Sequence, residues 1–251
     1  MLQKAEGLVL RTVDYGETNK IVTLFTREMG KVALFASGAK KTRSRLAATT
    51  QPFTYGSYLF FIGKGLGSIR QGEIIDSFRT LRNDLFRTAY AAYVAELMDK
   101  LTDDRSPNPF LFELLYQTLH YIDEEVDPEV MTFIFEVKML EVAGIRPKLN
   151  GCVQCKNQDG PFVFSIREGG LLCSRCRTID PHHIPISEAS LKLLRLFTQI
   201  NLSRLGKVSV KPETKRELKN VLSSYYEEYS GVKLKSRRFL DQLEKLEPDS
   251  S

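Results

Sequence analysis

Four cysteines constrain this chain more than any other feature, and all of them fall within the 25 residues "CVQCKNQDGPFVFSIREGGLLCSRC", Cys152 to Cys176. The spacing is C-x2-C, seventeen residues, C-x2-C. Each C-x2-C turn brings two thiolates to one metal ion, and two such turns joined by a hairpin complete a closed tetrahedral shell. The insert supplies that hairpin: "GPFVFSI" and "GGLLC" read as strands, with Arg167, Glu168, Gly169 and Gly170 between them. Disulfides fit poorly. The opening "MLQKAEGLVLRTV" carries Glu6 and no apolar core before a small-residue cleavage site, so a cytoplasmic, reducing location is expected. A redox dithiol uses one C-x2-C, and catalytic zinc keeps an open position. The expectation is one structural Zn²⁺ held by Cys152, Cys155, Cys173 and Cys176 in a zinc ribbon over 151–180. His182 and His183 are then loop residues, and His120 is a lone helical histidine.

The first eighty residues have strand grammar. "EGLVLRTVDYG", "NKIVTLFTREMGK", "KVALFASG", "PFTYGSYLFFIGKG" and "SIRQGEIIDSF" are short runs rich in β-branched and aromatic residues, most followed by a Gly-containing break. Tyr58, Phe60 and Ile62 alternate with Leu59 and Phe61, so both faces of that strand should be buried. Five short strands in so little chain fit a small Greek-key barrel, with the five-stranded OB-fold as leading candidate.

Helical grammar follows. "TLRNDLFRTAYAAYVAELMDKLTDD" predicts one helix with Leu85, Ala89, Ala92, Tyr93 and Leu97 inward. "FLFELLYQTLHYIDEEV" starts a second, and Asp127-Pro128 caps a third from Val130 to Ala143. That third helix has four polar residues only (Thr132, Glu136, Lys138 and Glu141) and should be the most buried of its bundle. Ser187 opens a helix with Ala189, Leu193, Leu196, Phe197 and Ile200 on one side. Pro212 starts another that Gly231 ends, and "SRRFLDQLEKL" precedes the polar tail "EPDSS". The expected class is α+β: an N-terminal five-stranded OB-fold β-barrel (1–80), then a helical bundle domain in two parts (81–150 and 181–251) with the four-cysteine zinc ribbon inserted (151–180). No apolar run reaches the length of a membrane span, so no membrane partner is expected.

Charge is unevenly spread. Residues 1–80 hold 12 Lys/Arg against 6 Asp/Glu, whereas 81–127 hold ten acids against four bases. Within "SGAKKTRSRLAATTQPF", Lys40, Lys41, Arg43 and Arg45 crowd six positions of one connection between strands. Like charges so placed imply a polyanion. Arg11, Arg27, Lys31 and Arg70 add cations, and Tyr15, Phe35, Phe53, Tyr55 and Tyr58 add aromatic faces, the two ingredients of single-stranded nucleic-acid binding. For most of those aromatics, core packing is the simpler account. Enzymatic readings find little support. "FFIGKGLGSIR" has Ser68 where a dinucleotide fingerprint needs its last glycine, and it lies between strands. No phosphate-cradling G-x-x-x-x-G-K-[ST] run, nucleophile elbow or His-Glu-x-x-His is present. Asp99, Asp103, Asp104 and Glu124, Glu125, Asp127 offer acids for a Mg²⁺ nuclease, but acids at helix ends are ordinarily solvated.

The stretch "GLVLRTVDYGETNKIVTLFTREMGKVALFASGAKKTRSRLAATTQPF" resembles the opening of the bacterial RecO family of recombination mediators. The Y-G-E-x-(N/D)-K-I-V-x-L-F-T block, the Gly30 turn, the G-A-(K/R)-K-x-x-S-R loop and "QPF" carry the likeness, and the order of helices, cysteines and helices is similar throughout. The resemblance implies a non-enzymatic protein of DNA repair and recombination that binds single- and double-stranded DNA and anneals complementary strands. It implies action with RecR, and sometimes RecF, to load RecA on DNA coated by single-strand-binding protein, SSB, whose acidic-apolar C-terminal tail docks on the helical domain. A cytoplasmic, nucleoid-associated location goes with that role. Lys40, Lys41, Arg43 and Arg45, with Arg11 and Arg70, would hold DNA; no family motif marks the tail's pocket, and the acidic balance of 81–127 argues for a place elsewhere on the helices, such as near Lys192 or Arg195. The alternatives by sequence are an RNA-binding zinc-ribbon/OB factor of translation or transcription and a structural adaptor.

Overall fold

The structure, a computed structural model, describes residues 1–63, 65–206 and 208–246; Lys64, Lys207 and the polar tail 247–251 lie outside the described residues. The chain divides into two compact units, Met1–Glu125 with the segment beginning at Leu234, and Val126–Lys233.

Five strands open the first unit: β1 (Leu2–Tyr15), β2 (Asn19–Thr26), β3 (Gly30–Ala36), β4 (Tyr55–Phe61) and β5 (Gly67–Asp76). They close in the order β1-β2-β3-β5-β4, which is the five-stranded OB barrel expected. β1 is long enough to serve two neighbours: Leu2–Leu8 pair with β4, and Gly7–Tyr15 pair with β2. A bulge between Val9 and Arg11 lets both Val9 and Leu10 turn away from solvent. The parallel contact of β3 with β5 closes the barrel at Leu34↔Gly67. Only glycine fits there, because a Cβ on Gly67 would lie 2.6 Å from Leu34 Cδ2 and 2.5 Å from the Phe61 carbonyl oxygen. Inside sit Ala5, Val9, Val22, Leu24, Val32, Leu34, Tyr58, Phe60 and Ile69.

The connection between β3 and β4 contains a short helix that the strand-to-strand reading did not anticipate, α1 (Arg45–Thr49), capped by the Ser44 hydroxyl. It is a plug. Leu46 enters the barrel core, Thr50 Oγ1 donates to the Leu46 carbonyl, and the buried Tyr58 hydroxyl donates to the Thr49 carbonyl at 2.7 Å. Burial, opposed by the nearby Arg82 charge, pushes that phenol well above its ordinary pKa. The outer face of β4 is not buried as the alternation suggested: Leu59 is half-buried and Phe61 exposed.

The helices of this unit are α2 (Arg79–Asn83), α3 (Leu85–Leu101), α4 (Pro109–Asp123) and, at the far end of the chain, the helix Lys235–Leu246 (α8, the eighth in chain order). The single helix expected over 80–104 is interrupted at Asp84, whose carboxylate accepts from Arg87 N–H and so caps a new start. Leu85 is consequently exposed, while Ala89, Tyr93 and Leu97 face inward as read. One outer flank of the barrel is covered by α4: Phe25 stacks on Phe112 with centroids 6.5 Å apart, and Tyr55 meets the same ring edge-on at 5.9 Å. Lys31 is a buried cation whose ammonium donates to the carbonyls of Asp99 and Thr102 at 2.6 and 2.8 Å, the end of α3. A cation there complements both the orphan carbonyls and the helix dipole.

The second unit is built on α5 (Pro128–Val142), with α6 (Glu188–Gln199) and α7 (Pro212–Tyr229) against it. Ten α5 residues are buried, Glu136 included, as its nearly unbroken apolarity demanded. The buried side of α6 differs from the expected one. Phe197 faces inward as expected, but its buried companions are Leu191 and Leu194, whereas Leu196 is half-exposed and Ala189 exposed. A small sheet completes the unit: β6 (Lys148–Cys152), β7 (Phe162–Ser165), β8 (Gly170–Cys173) and the two-residue β9 (Ile184–Pro185), in the order β6-β8-β7-β9. β7 and β8 are the expected hairpin.

Candidate nucleic-acid interface and metal centre

The basic connection is held at both ends by residues buried in the barrel, Ala39 before the cluster and Leu46 after it. Two further bonds tie its start to the β1–β2 turn: Lys40 N–H donates to the Thr18 carbonyl at 2.9 Å, and Gly38 N–H to Asn19 Oδ1 at 2.9 Å. Between the anchors, Lys40, Lys41, Arg43 and Arg45 are all exposed. They are not equivalent. Lys40 Nζ pairs with Asp14 at 2.7 Å, and that hydrogen bond, with the Lys20 charge, holds the Asp14 carboxyl below its ordinary pKa. Lys41, Arg43 and Arg45 form no ion pair with any described residue. Repulsion among three such cations is tolerable only because water screens them, and a polyanion would relieve it.

Arg11 and Arg70 have other engagements. Arg11 Nε pairs with Asp99 at 2.8 Å, so its charge is largely answered within the protein. The Arg70 guanidinium lies 5.0 Å over the Phe61 ring. Of the five aromatics singled out from sequence, Phe53, Tyr55 and Tyr58 are buried, whereas Tyr15 is exposed and meets the half-buried Phe35 edge-on at 5.8 Å. Register explains the grouping. Val13 opposes Ile21, Ile21 opposes Phe35, Phe35 opposes Ser68, and Ser68 opposes Phe61. The outward side chains of all five strands therefore form one row, ending on a ring that β4's alternation had assigned to a core. Pairing register, invisible in any single strand, was needed to find Phe61.

The acids considered for a nuclease do not converge. Asp99 is committed to Arg11 and Lys31, and among the described residues the cysteines form the one group of His, Cys, Asp or Glu able to hold a metal ion.

In that group the sulfurs of Cys152, Cys155, Cys173 and Cys176 all lie within 4.8 Å of one another, with Cys155 and Cys173 Sγ 3.6 Å apart. A tetrahedral shell with metal–sulfur bonds of about 2.3 Å needs sulfurs about 3.8 Å apart, so the four fit a metal ion. Cys152 ends β6 and Cys173 ends β8. Burial raises the Cys152 thiol, but N–H groups of Cys155, Cys173 and Gln154 outweigh it and bring the thiol down to about 6. Burial likewise raises Cys173, which the N–H groups of Cys176 and Arg175 bring below its ordinary value. Cys176 goes the other way, pushed up by burial and by the three neighbouring sulfurs. Backbone donors aimed at sulfur stabilise thiolates, the form a metal requires. Neither histidine joins them: His183 Nδ1 lies 2.7 Å from the Asp180 carbonyl, and His182 N–H donates to the Asp180 carboxylate.

The family described as "Recombination protein O N terminal" matches residues 1–78, and "Recombination protein O C terminal" matches residues 82–238. The chain is 60% identical over 246 residues to the DNA repair protein RecO of Halalkalibacterium halodurans, covering 98% of this chain and 97% of that one. It is 58% identical to the RecO of Bacillus subtilis, over 98% and 96% of the two chains. Matched by both family models over nearly its whole length and 58–60% identical to these relatives, the chain belongs to the RecO family of DNA repair proteins.

Proposed function

We propose that this protein is a non-enzymatic recombination mediator whose barrel, residues 1–80, binds single- and double-stranded DNA and anneals complementary strands. In this role it acts with RecR, and with RecF, to help RecA replace SSB, and the SSB tail docks on its helical part. One observation carries the DNA reading: Lys41, Arg43 and Arg45 form no ion pair with any described residue, on a connection anchored at Ala39 and Leu46 of a barrel that also carries the outward rings of Tyr15, Phe35 and Phe61. Cations that hold phosphates and exposed rings on which bases can stack are what a single strand needs. Annealing follows from the same charge, because two negative strands must be neutralised together before they pair. The four thiolates hold one structural Zn²⁺, whose closed shell offers no position for a substrate.

The test is the salt dependence of binding. Each phosphate contact releases counterions, so affinity falls linearly on a log–log salt plot. Changing Lys41 and Arg43 together to Ala should lower the slope for single strands by about 1.4, equally for all base sequences. Unchanged slope and unchanged annealing would assign the loop to an acidic protein partner instead.

A further inference from the structure

Within the unit Val126–Lys233, a cavity of about 590 Å³ opens beside the cysteine centre, and four cations line it: Arg146, Lys148, Lys156 and Arg195. Cys152 and Val153 of the first C-x2-C turn form part of its wall. No Asp or Glu lines it. The neighbouring cavity of about 560 Å³ shares Arg195 but includes Asp159 and Glu188, so an anion there would meet carboxylates.

The cations differ in how far they are already answered. Arg146 pairs with Glu141 at 3.3 Å, outside the lining. Lys156 Nζ donates to the Val153 carbonyl at 2.7 Å, a neutral partner that leaves its charge uncompensated. Arg195 Nε donates to the Leu149 carbonyl at 2.8 Å, which fixes the guanidinium and leaves its two terminal nitrogens without a partner among the described residues. Lys148 is exposed and forms no ion pair with a described residue. Three uncompensated cations around a concave wall focus positive potential into it.

We propose that this cavity is a second nucleic-acid site, gripping the phosphodiester backbone of a strand separate from the one on the barrel; the inference rests on the DNA-binding reading above. The lining favours a backbone over an acidic peptide with an apolar end. It contains no aromatic side chain, and its largest aliphatic one, Leu149, is only 6% exposed, whereas four cations reach it. Contacts to phosphates alone are indifferent to sequence. One chain would then hold two strands, as annealing requires.

The experiment titrates the full, metal-loaded chain with a short oligothymidylate at low salt. The intact protein should bind two strands, and Lys148→Gln with Lys156→Gln should bind one, with zinc content and melting temperature unchanged because both side chains are exposed. In a chain already carrying Lys41→Ala and Arg43→Ala, the same pair should remove a further ~1.4 from the salt slope of the remaining binding. If the glutamine pair lowers the melting temperature, Arg146→Gln on the rim must reduce the weaker of the two affinities, or the proposal fails. Two strands still bound by the glutamine variant would overturn it. So would loss of binding to an acidic-apolar peptide with oligonucleotide binding intact, which would mark the cavity as a protein-docking site. Failure of the barrel reading is separately visible, as an unchanged slope in the Lys41, Arg43 variant alone.

Discussion

Asp14 sets the working charge of the basic connection. Its carboxylate lies 2.7 Å from Lys40 Nζ, so a phosphate approaching Lys40 must compete with a partner already in place. Lys41, Arg43 and Arg45 have no such competitor among the described residues. Equal weight for all four cations, the reading from composition, therefore overstates Lys40. Asp14→Asn should free it, tightening single-strand binding several-fold at low salt and steepening the salt slope by about 0.7, one additional phosphate contact. Fold stability should barely move, because the pair is solvent-exposed. Anisotropy titrations across a salt series measure both quantities, and unchanged or weaker binding would mean that Lys40 takes no part. Arg11 shows the same logic more strongly, since Asp99 holds it at 2.8 Å.

At the scale of elements, the cysteine centre ties together segments that have few other bonds. β6 meets β8 at two registered positions, Lys148↔Gly170 and Cys152↔Leu171, with an irregularity between them. The apolar cluster around Cys152, Leu172 and Cys173 is small. A metal ion on four sulfurs supplies the missing cohesion, and without it partly ionised thiols would repel across less than 4.8 Å. Chelation, or Cys173→Ser, should therefore lower the melting transition of the unit 126–233 while leaving the barrel's transition in place. Elemental analysis should find one zinc per chain, and protein purified without chelators that contained none would defeat this assignment. The helices teach a second lesson at this scale. Along α6 and its C-cap, Leu193, Leu196 and Ile200 lie at helical spacing on one apolar stripe and Leu191 and Leu194 on a second, with Phe197, expected on the first, buried with the second. Periodicity ranks them equally; only the neighbours α5 and α7 decide that the second is buried.

At the scale of the whole molecule, the barrel shares a unit with α2, α3, α4 and α8. Phe25 and Leu8 are fully buried although they point out of the barrel, and Phe25 and Tyr55 pack on Phe112. Stripping such a side chain of its cover costs about 1.5–3 kcal/mol. Lys31 would also lose the carbonyls and carboxylates that hold it. A fragment of residues 1–80 should thus unfold at clearly lower urea than residues 1–125, and equal midpoints would show that the helices contribute nothing to the barrel. The sequence alone determined the five strands, the metal-binding quartet, the buried α5 and the family. Those signals are local: residue spacing, alternation, caps and a contiguous motif. Tertiary structure decided the rest, because each remaining feature depends on segments far apart in the chain. Leu46 is a core residue only because a barrel closes over α1, and Phe61 joins Phe35 and Tyr15 only through the register of β5 between β3 and β4. Lys40 and Arg11 are answered by Asp14 and Asp99, and Arg146, Lys148, Lys156 and Arg195 share one cavity because β6 and α6 meet there. Charge is written along the chain, but whether a charge is free or answered depends on what the fold sets beside it.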